Sequence, residues 1–250
     1  MASPPGHTPR RYRPQGRQVE RAPVSAPTLL AWSGGKDAAW ALHALRAGGR
    51  HEVVALLSSV DAGNGRAAMQ GIRTDVLHAQ AGAAGLPLIE ARQPPRPDNA
   101  TYEACFARAL DLARARWPGI AHIAFGDLHL ADILAWREDL CARLGWTAVF
   151  PLFGLDTAAL ARTMIDAGLR ARVCCVDTAR MDAAFAGRGF DAGLLASLPP
   201  GIDPCGENGE FHTCVEDGPM FRAPVPVEAV GSWQDGPFAR VDFSLRAPRA

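Results

Sequence analysis

From Thr28 onward, short apolar runs alternate with longer segments whose apolar positions recur at helical spacing. Thr28 to Trp32 (TLLAW) is predicted as a strand, and a helix from Lys36 to Ala47 follows it, stopped by Gly48-Gly49. Val53 to Val60 reads as a second buried strand and Asp75 to Ala84 as a helix ending at Gly85. Leu86 to Glu90 is a short strand, and the proline-rich Gln93 to Pro97 is a loop. Helix Tyr102 to Arg116, strand Ile120 to Phe125, helix Ala131 to Leu144 and strand Trp146 to Phe150 continue the series. Strands separated by helices imply βαβ units, hence an α/β fold whose parallel sheet is covered by helices on both faces.

After Pro151 the alternation weakens. Asp156-Thr157 looks like a helix start running to Ala167, Ala171 to Val176 is an apolar strand, and Asp191 to Leu198 is a short helix. Between Pro199 and Pro219 the chain is dense in glycine, proline, acid and cysteine, a long irregular stretch of the kind in which functional loops are found. Four parts are therefore expected: a flexible basic tail over 1–27, a nucleotide-binding domain over 28–150, a smaller α+β substrate lobe over 151–223, and an extension over 224–250. The tail holds six prolines and five arginines with almost no large apolar side chain.

Composition narrows the class. A hydrophobic content of 48% in 250 residues excludes a disulfide-stapled module and a wholly disordered chain. Basic and acidic residues balance at 26 each, so there is no general pull toward nucleic acid or an anionic membrane. No apolar run approaches the ~20 residues that cross a bilayer, and the order of a secretory signal is missing. Six cysteines form no CxxC pair and read as reduced thiols, so a soluble cytoplasmic protein is expected. Of the 26 basic residues 25 are arginine and one, Lys36, is lysine, which hints at chemistry that a guanidinium does not supply.

Lys36 stands in LLAWSGGKDAAW, where Ser33-Gly34-Gly35 joins a buried strand to the first turn of a helix. Unpaired amides and the positive end of the helix dipole make such a turn an anion site. It is neither a GxxxxGK[ST] P-loop nor a GxGxxG fingerprint. It resembles the SGGxD[S] loop of the PP-loop ATP pyrophosphatase (adenine nucleotide alpha hydrolase-like) superfamily, with Ala38 where serine or cysteine is common, so a hydroxyl contact to phosphate is missing.

Further blocks resemble one family within it: Met69-Gln70-Gly71-Ile72-Arg73, Ala124-Phe125-Gly126-Asp127, Arg137-Glu138, Phe150 to Gly154, Cys175-Val176-Asp177, Asp203 to Thr213 (DPCGENGEFHT) and Asp217 to Phe221. These are similar to the diphthine–ammonia ligase family, and GENGEFHT is closer to a bacterial branch. The resemblance covers roughly residues 28 to 222. It implies a Rossmann-like HUP domain and an AMP-forming ligase that adenylates a carboxylate and lets ammonia displace AMP. ATP and Mg²⁺ are the implied cofactors, and the partners are ammonia and a carboxylate borne by a small molecule or a protein. No membrane partner is expected, nucleic acid is disfavoured, and a homodimer is left open because nothing in the chain specifies oligomeric state.

The resemblance nominates Ser33, Gly34, Gly35, Lys36, Asp37, Gly126 and Asp127 for ATP, with Asp37 also for the metal. It nominates Lys36, Asp37, Glu207 and Glu210 for catalysis, and Arg73, Tyr102, Glu103, Arg137, Asn208 and His212 for the substrate. Plainer readings stand beside these. Asp203, Glu207, Glu210 and Asp217 would suit Mg²⁺ or be solvated acids of a turn, and Cys205, His212 and Cys214 lack the spacing of a transition-metal site. Asp127 would also serve as a helix cap, Glu103 would favour a helix dipole, and exposed arginines such as Arg73 and Arg137 are commonly in ion pairs. Cys174, Cys175, Trp32 and Trp40 read as packing. Two other functions remain open, a non-catalytic ATP/AMP sensor and a tRNA-modifying PP-loop enzyme. With Lys36 taken as an exposed loop residue holding the β and γ phosphates, Lys36→Ala is expected to lower ATP turnover while preserving the fold.

Overall fold

A computed structural model describes residues 25–247; most of the basic segment predicted as a tail, residues 1–24, lies outside them. The first strand, β1, spans Ala26–Ala31, so pairing begins two residues before the expected Thr28. It is followed by α1 (Lys36–Gly48), β2 (His51–Asp61), a two-residue β3 (Arg66–Ala67), α2 (Thr74–Ala84), β4 (Leu88–Gln93), α3 (Asn99–Arg116), β5 (His122–Ala124), α4 (Ala131–Arg143) and β6 (Thr147–Val149). The helix ends follow local chemistry. Gly49 (φ 66°) and Gly85 (φ 72°) close α1 and α2 in the left-handed conformation that glycine adopts without penalty. Asp98 accepts a hydrogen bond from Thr101 N at 2.8 Å, which starts α3 at Asn99, three residues before the expected Tyr102.

The parallel strands run in the order β4-β2-β1-β5-β6, with β3 antiparallel to the end of β2. Their side chains alternate between two cores. Leu30, Leu56 and Val60 face α1 and α2, where Leu42, Leu45, Val76 and Leu77 are buried. Leu29, Ala55, Leu57 and Ile123 face α3 and α4, against Phe106, Leu110 and Leu140. Near-continuous apolar strands are the signature of a sheet buried on both sides. The strand order reverses between β1 and β5, and at such a point an open α/β sheet leaves a crevice at its carboxyl edge.

The rest of the chain forms α5 (Thr157–Asp166), β7 (Arg170–Asp177), a 3-10 turn at Ala183–Phe185, α6 (Ala192–Ser197), β8 (Phe211–Asp217), β9 (Val227–Asp235) and β10 (Phe238–Leu245). Asp156 and Asp191 cap α5 and α6 with their side chains, as Asp/Ser-type starts predict. An antiparallel sheet in the order β8-β7-β10-β9 results. Two features depart from the sequence reading. The stretch expected to be irregular to Pro219 becomes β8 from Phe211, because Phe211, Thr213, Cys214 and Val215 are buried and pair with β7. The segment after 224 forms the β9–β10 hairpin of this sheet, turned at Asp235-Gly236 with Gly236 at φ 58°. Among the described residues no helix is long and apolar enough to cross a membrane.

Candidate active site

The turn after β1 is held by two neighbours. Gly34 (φ 78°) must be glycine, since a Cβ there would stand 2.8 Å from Gln80 Oε1 and Leu77 Cδ2. Gly35 N donates to Ser33 Oγ at 3.2 Å, and Lys36 N donates to Thr213 Oγ1 of β8 at 3.0 Å. Gly34 O accepts from Val215 N at 3.0 Å and from Gln80 Nε2 at 3.1 Å. The start of α1 is thus fixed between α2 and β8, and its first turn carries Asp37. Across the switch point, Gly126 lets β5 approach the same turn: a Cβ on it would lie 2.8 Å from Asp37 C and 2.9 Å from Asp37 O.

Lys36 departs most from its expected place. It is 1% exposed and does not line the cavity described below. Its Nζ lies between the rings of Phe190 (5.5 Å) and Phe211 (5.4 Å), donates to Asp37 Oδ2 at 2.9 Å and also donates to Cys205 O. The exposed loop lysine of the sequence reading is therefore corrected to a buried cation that ties the turn to the 203–210 segment. Burial opposes its charge, but the Asp37 carboxylate beside it holds the ammonium above its ordinary pKa. Burial pushes the Asp37 carboxyl up, and Lys36 offsets this only in part. Asp37 Oδ1 is buried without a hydrogen-bond partner.

The acidic segment is an organised loop. Asp203 Oδ1 accepts from Cys205 N at 2.8 Å and Glu207 N at 3.2 Å. Glu210, 1% exposed, accepts from Asn208 N and Asn208 Nδ2, both at 3.0 Å, and from Asp203 N at 3.3 Å. Both Glu210 and Asn208 are turned into their own loop and do not line the cavity. Glu207 reaches across to the parallel sheet, accepting from Leu128 N at 2.7 Å and His129 N at 3.2 Å. Burial raises its pKa while those amides pull the other way. Cys205 is no nucleophile at neutral pH, because burial pushes its thiol up to about 12.

A cavity of about 790 Å³ opens at this edge, lined among others by Ser33, Gly35, Asp37, Ala38, Tyr102, Gly126, Asp127, Arg137, Glu207 and His212. Asp127 pairs with Arg137 at 2.6 Å, and the guanidinium lies over Phe125 at 4.4 Å. The cap reading for Asp127 fails, since α4 follows Leu130 with no side-chain cap. Arg73 and Glu103 join Gly34, Lys36, Asn208 and Glu210 as nominated residues that do not line the cavity. Arg73 is bound to Asp242 at 2.6 and 2.8 Å, and Glu103 is gripped bidentately by Arg143 at 2.9 and 3.0 Å. Burial, with Lys36 and Arg240 nearby, lowers the His212 pKa to about 4, so its imidazole is neutral.

Sequence reasoning missed part of the lining. Asp61 at the end of β2, Arg66 on β3, Trp233 and Asp235 on β9 and Arg240 on β10 also line the cavity. The Asp-Gly pair at 235–236 was a hairpin signal that could have found the last three. Among the described residues no group of three or more His, Cys, Asp or Glu side chains is arranged to hold a metal ion by itself.

A strand–turn–helix at the switch point of a parallel α/β sheet, with Asp37, Asp127 and Glu207 lining one cavity there, is the arrangement of a nucleotide-site protein of the PP-loop kind. Two family models match the chain, diphthamide synthase N-terminal domain over residues 27–148 and diphthamide synthase C-terminal domain over residues 156–238. The chain belongs to the diphthine–ammonia ligase family of the PP-loop superfamily, a family of ATP-dependent enzymes. No match to it was found among curated proteins.

Proposed function

We propose that the protein adenylates a substrate carboxylate with ATP and transfers ammonia or an amine to the acyl group. The observation that carries this reading is the juxtaposition, in one cavity, of the start of α1 with the carboxylates of Asp37, Asp127 and Glu207. In this reading the triphosphate lies at the Ser33 to Asp37 turn. A carboxylate oxygen of the acceptor attacks the α phosphorus, the bond to the β phosphate breaks, and pyrophosphate leaves. The ammonia lone pair then attacks the acyl carbon, the bond to AMP breaks, and the nitrogen gives up a proton. Glu207, its pKa raised by burial, suits the acceptor of that proton. Fixed dipoles at the cradle favour charge developing on the leaving group and need no reorganisation.

Asp37 fits the Mg²⁺ role, because its Oδ1 is buried and unpartnered, although the described residues form no group of three or more metal ligands around it. Magnesium held there would supply positive charge against the phosphates of ATP. Lys36 acts through position in this scheme: it holds Asp37 and the Cys205 carbonyl without touching phosphate. Glu210 and Asn208 shape the loop that presents Glu207. A cytoplasmic setting accords with six buried free thiols.

The test is incubation of purified protein with ATP, Mg²⁺, ammonium and a pool of carboxylic acids, followed by analysis of nucleotides. The expected products are AMP and pyrophosphate in equal amounts, dependent on the acid pool and reduced at least about a hundredfold in Asp37→Asn. Release of ADP and phosphate would overturn the reading. Nucleotide binding without turnover would leave the sensor function in its place.

A further inference from the structure

The part of the cavity furnished by the second sheet carries one donor that the protein leaves unused. Arg240 is only 10% exposed, and its Nη1 donates to Met69 O at 2.8 Å. Its Nε is buried without a hydrogen-bond partner. Asp235 Oδ2 comes within 3.4 Å of Nε but makes no hydrogen bond to it, and Asp235 is half exposed and shared with Arg96 at 3.9 Å. Arg240 lines the cavity, and a buried guanidinium N–H without an aligned acceptor is uncommon in folded proteins.

The surroundings keep that donor in place. Gly71 (φ 71°) makes room for it, since a Cβ there would stand 3.2 Å from Arg240 Nη1 and 3.7 Å from the Trp233 ring. The Trp233 ring is 36% exposed and carries the Arg66 guanidinium over it at 5.0 Å. Arg66 is itself spent on Asp242 (2.9 and 3.0 Å) and Gly71 O (2.9 Å), and Arg73 binds the same Asp242. On this side the cavity is lined by Arg66, Arg96 and Arg240 with Asp61 and Asp235, and Asp242 behind it occupies Arg66. Basic groups therefore stand on this wall, whereas Asp37, Asp127 and Glu207 stand at the other.

We propose that Arg240, beside the Trp233 ring, forms an acceptor subsite that takes an anionic oxygen, carboxylate or phosphate, on the molecule to be amidated. The inference rests on the ligase reading and gives the acceptor an anionic group besides the carboxylate that is adenylated. An arginine N–H is a directional donor to such oxygens, and the partly exposed Trp233 ring suits an apolar group next to the anion.

The test uses the whole protein loaded with Mg²⁺ and α,β-methylene-ATP, with glutarate and inorganic phosphate as probes in calorimetry. In wild type at least one probe binds the loaded protein, and the better of the two identifies the anion. In Arg240→Met that probe weakens about tenfold or more, while the nucleotide analogue changes by less than about threefold. Arg240→Lys, which keeps the charge and the packing stem but not the Nε donor, weakens the probe to an intermediate extent and melts like wild type. Unchanged probe affinity in Arg240→Met, or no probe binding to loaded wild type, overturns the subsite. A parallel loss of nucleotide affinity also overturns it, because Arg240 would then serve the phosphates of ATP. Failure of wild type to bind the analogue at all overturns instead the ligase reading beneath it.

Discussion

At the scale of single residues the two most informative groups are Lys36 and His212. The identity of Lys36 stood out in a chain of arginines, but its burial depends on Phe190, Phe211 and Cys205, which lie more than 150 positions away. Because Asp37 would lose its counterion and Cys205 O its donor, Lys36→Met is expected to cost about 3–5 kcal/mol, nearer the lower figure since Asp37 is partly exposed. A melting point lowered by about 6–12 °C would follow, and an unchanged one would refute the tie. His212 makes a pH argument. A free histidine titrates near 6.5, and here burial lowers the group to about 4. As pH falls from 6.5 to about 4 the unfolded chain takes up a proton that the folded chain refuses, so stability present above 6.5 is lost across that window. Urea unfolding at pH 7.5 and 4.5 should show wild type losing about 2–3 kcal/mol more than His212→Gln. Equal losses would mean that the imidazole is solvated.

At the scale of elements, the strand–turn–helix from β1 to α1 was legible because its information is local: an apolar run, two glycines and a helical pattern closed by Gly48-Gly49. The caps at Asp156 and Asp191 were legible for the same reason. The β8 strand was not, since glycine and acid before it masked a run whose burial is set by pairing with β7. Gly126 shows how one element constrains another. Its Gly126→Ala variant would press a methyl group against Asp37 C and O, moving the start of α1 away from β5. We expect a destabilisation of about 1–3 kcal/mol and a weakened affinity for ATP. Calorimetry with a magnesium-bound ATP analogue decides it, and native affinity in this variant would mean that the turn tolerates the shift.

At the scale of the whole molecule the two sheets share one node. Gln80, fully buried on α2, accepts from Trp32 Nε1 at 3.1 Å and donates to Gly34 O at 3.1 Å and to Val215 O at 2.8 Å. It joins β1, the anion turn and β8, so the two sheets should unfold in one transition. Gln80→Leu leaves these groups without their partner and is expected to cost about 2–4 kcal/mol. Far-UV and tryptophan signals should still coincide in wild type, and separate transitions there would sink the idea of a shared node. The sequence by itself determined the α/β class, the anion turn at residues 33–37 and the acidic block, because period, capping and glycine placement act over a few neighbouring residues. Tertiary structure alone decided that Lys36 faces inward, that Arg73 and Glu103 are consumed by Asp242 and Arg143, and that the last hairpin brings Trp233 and Arg240 to the cavity. Those outcomes depend on which distant groups meet, and burial and charge pairing between remote segments leave no periodic trace along the chain.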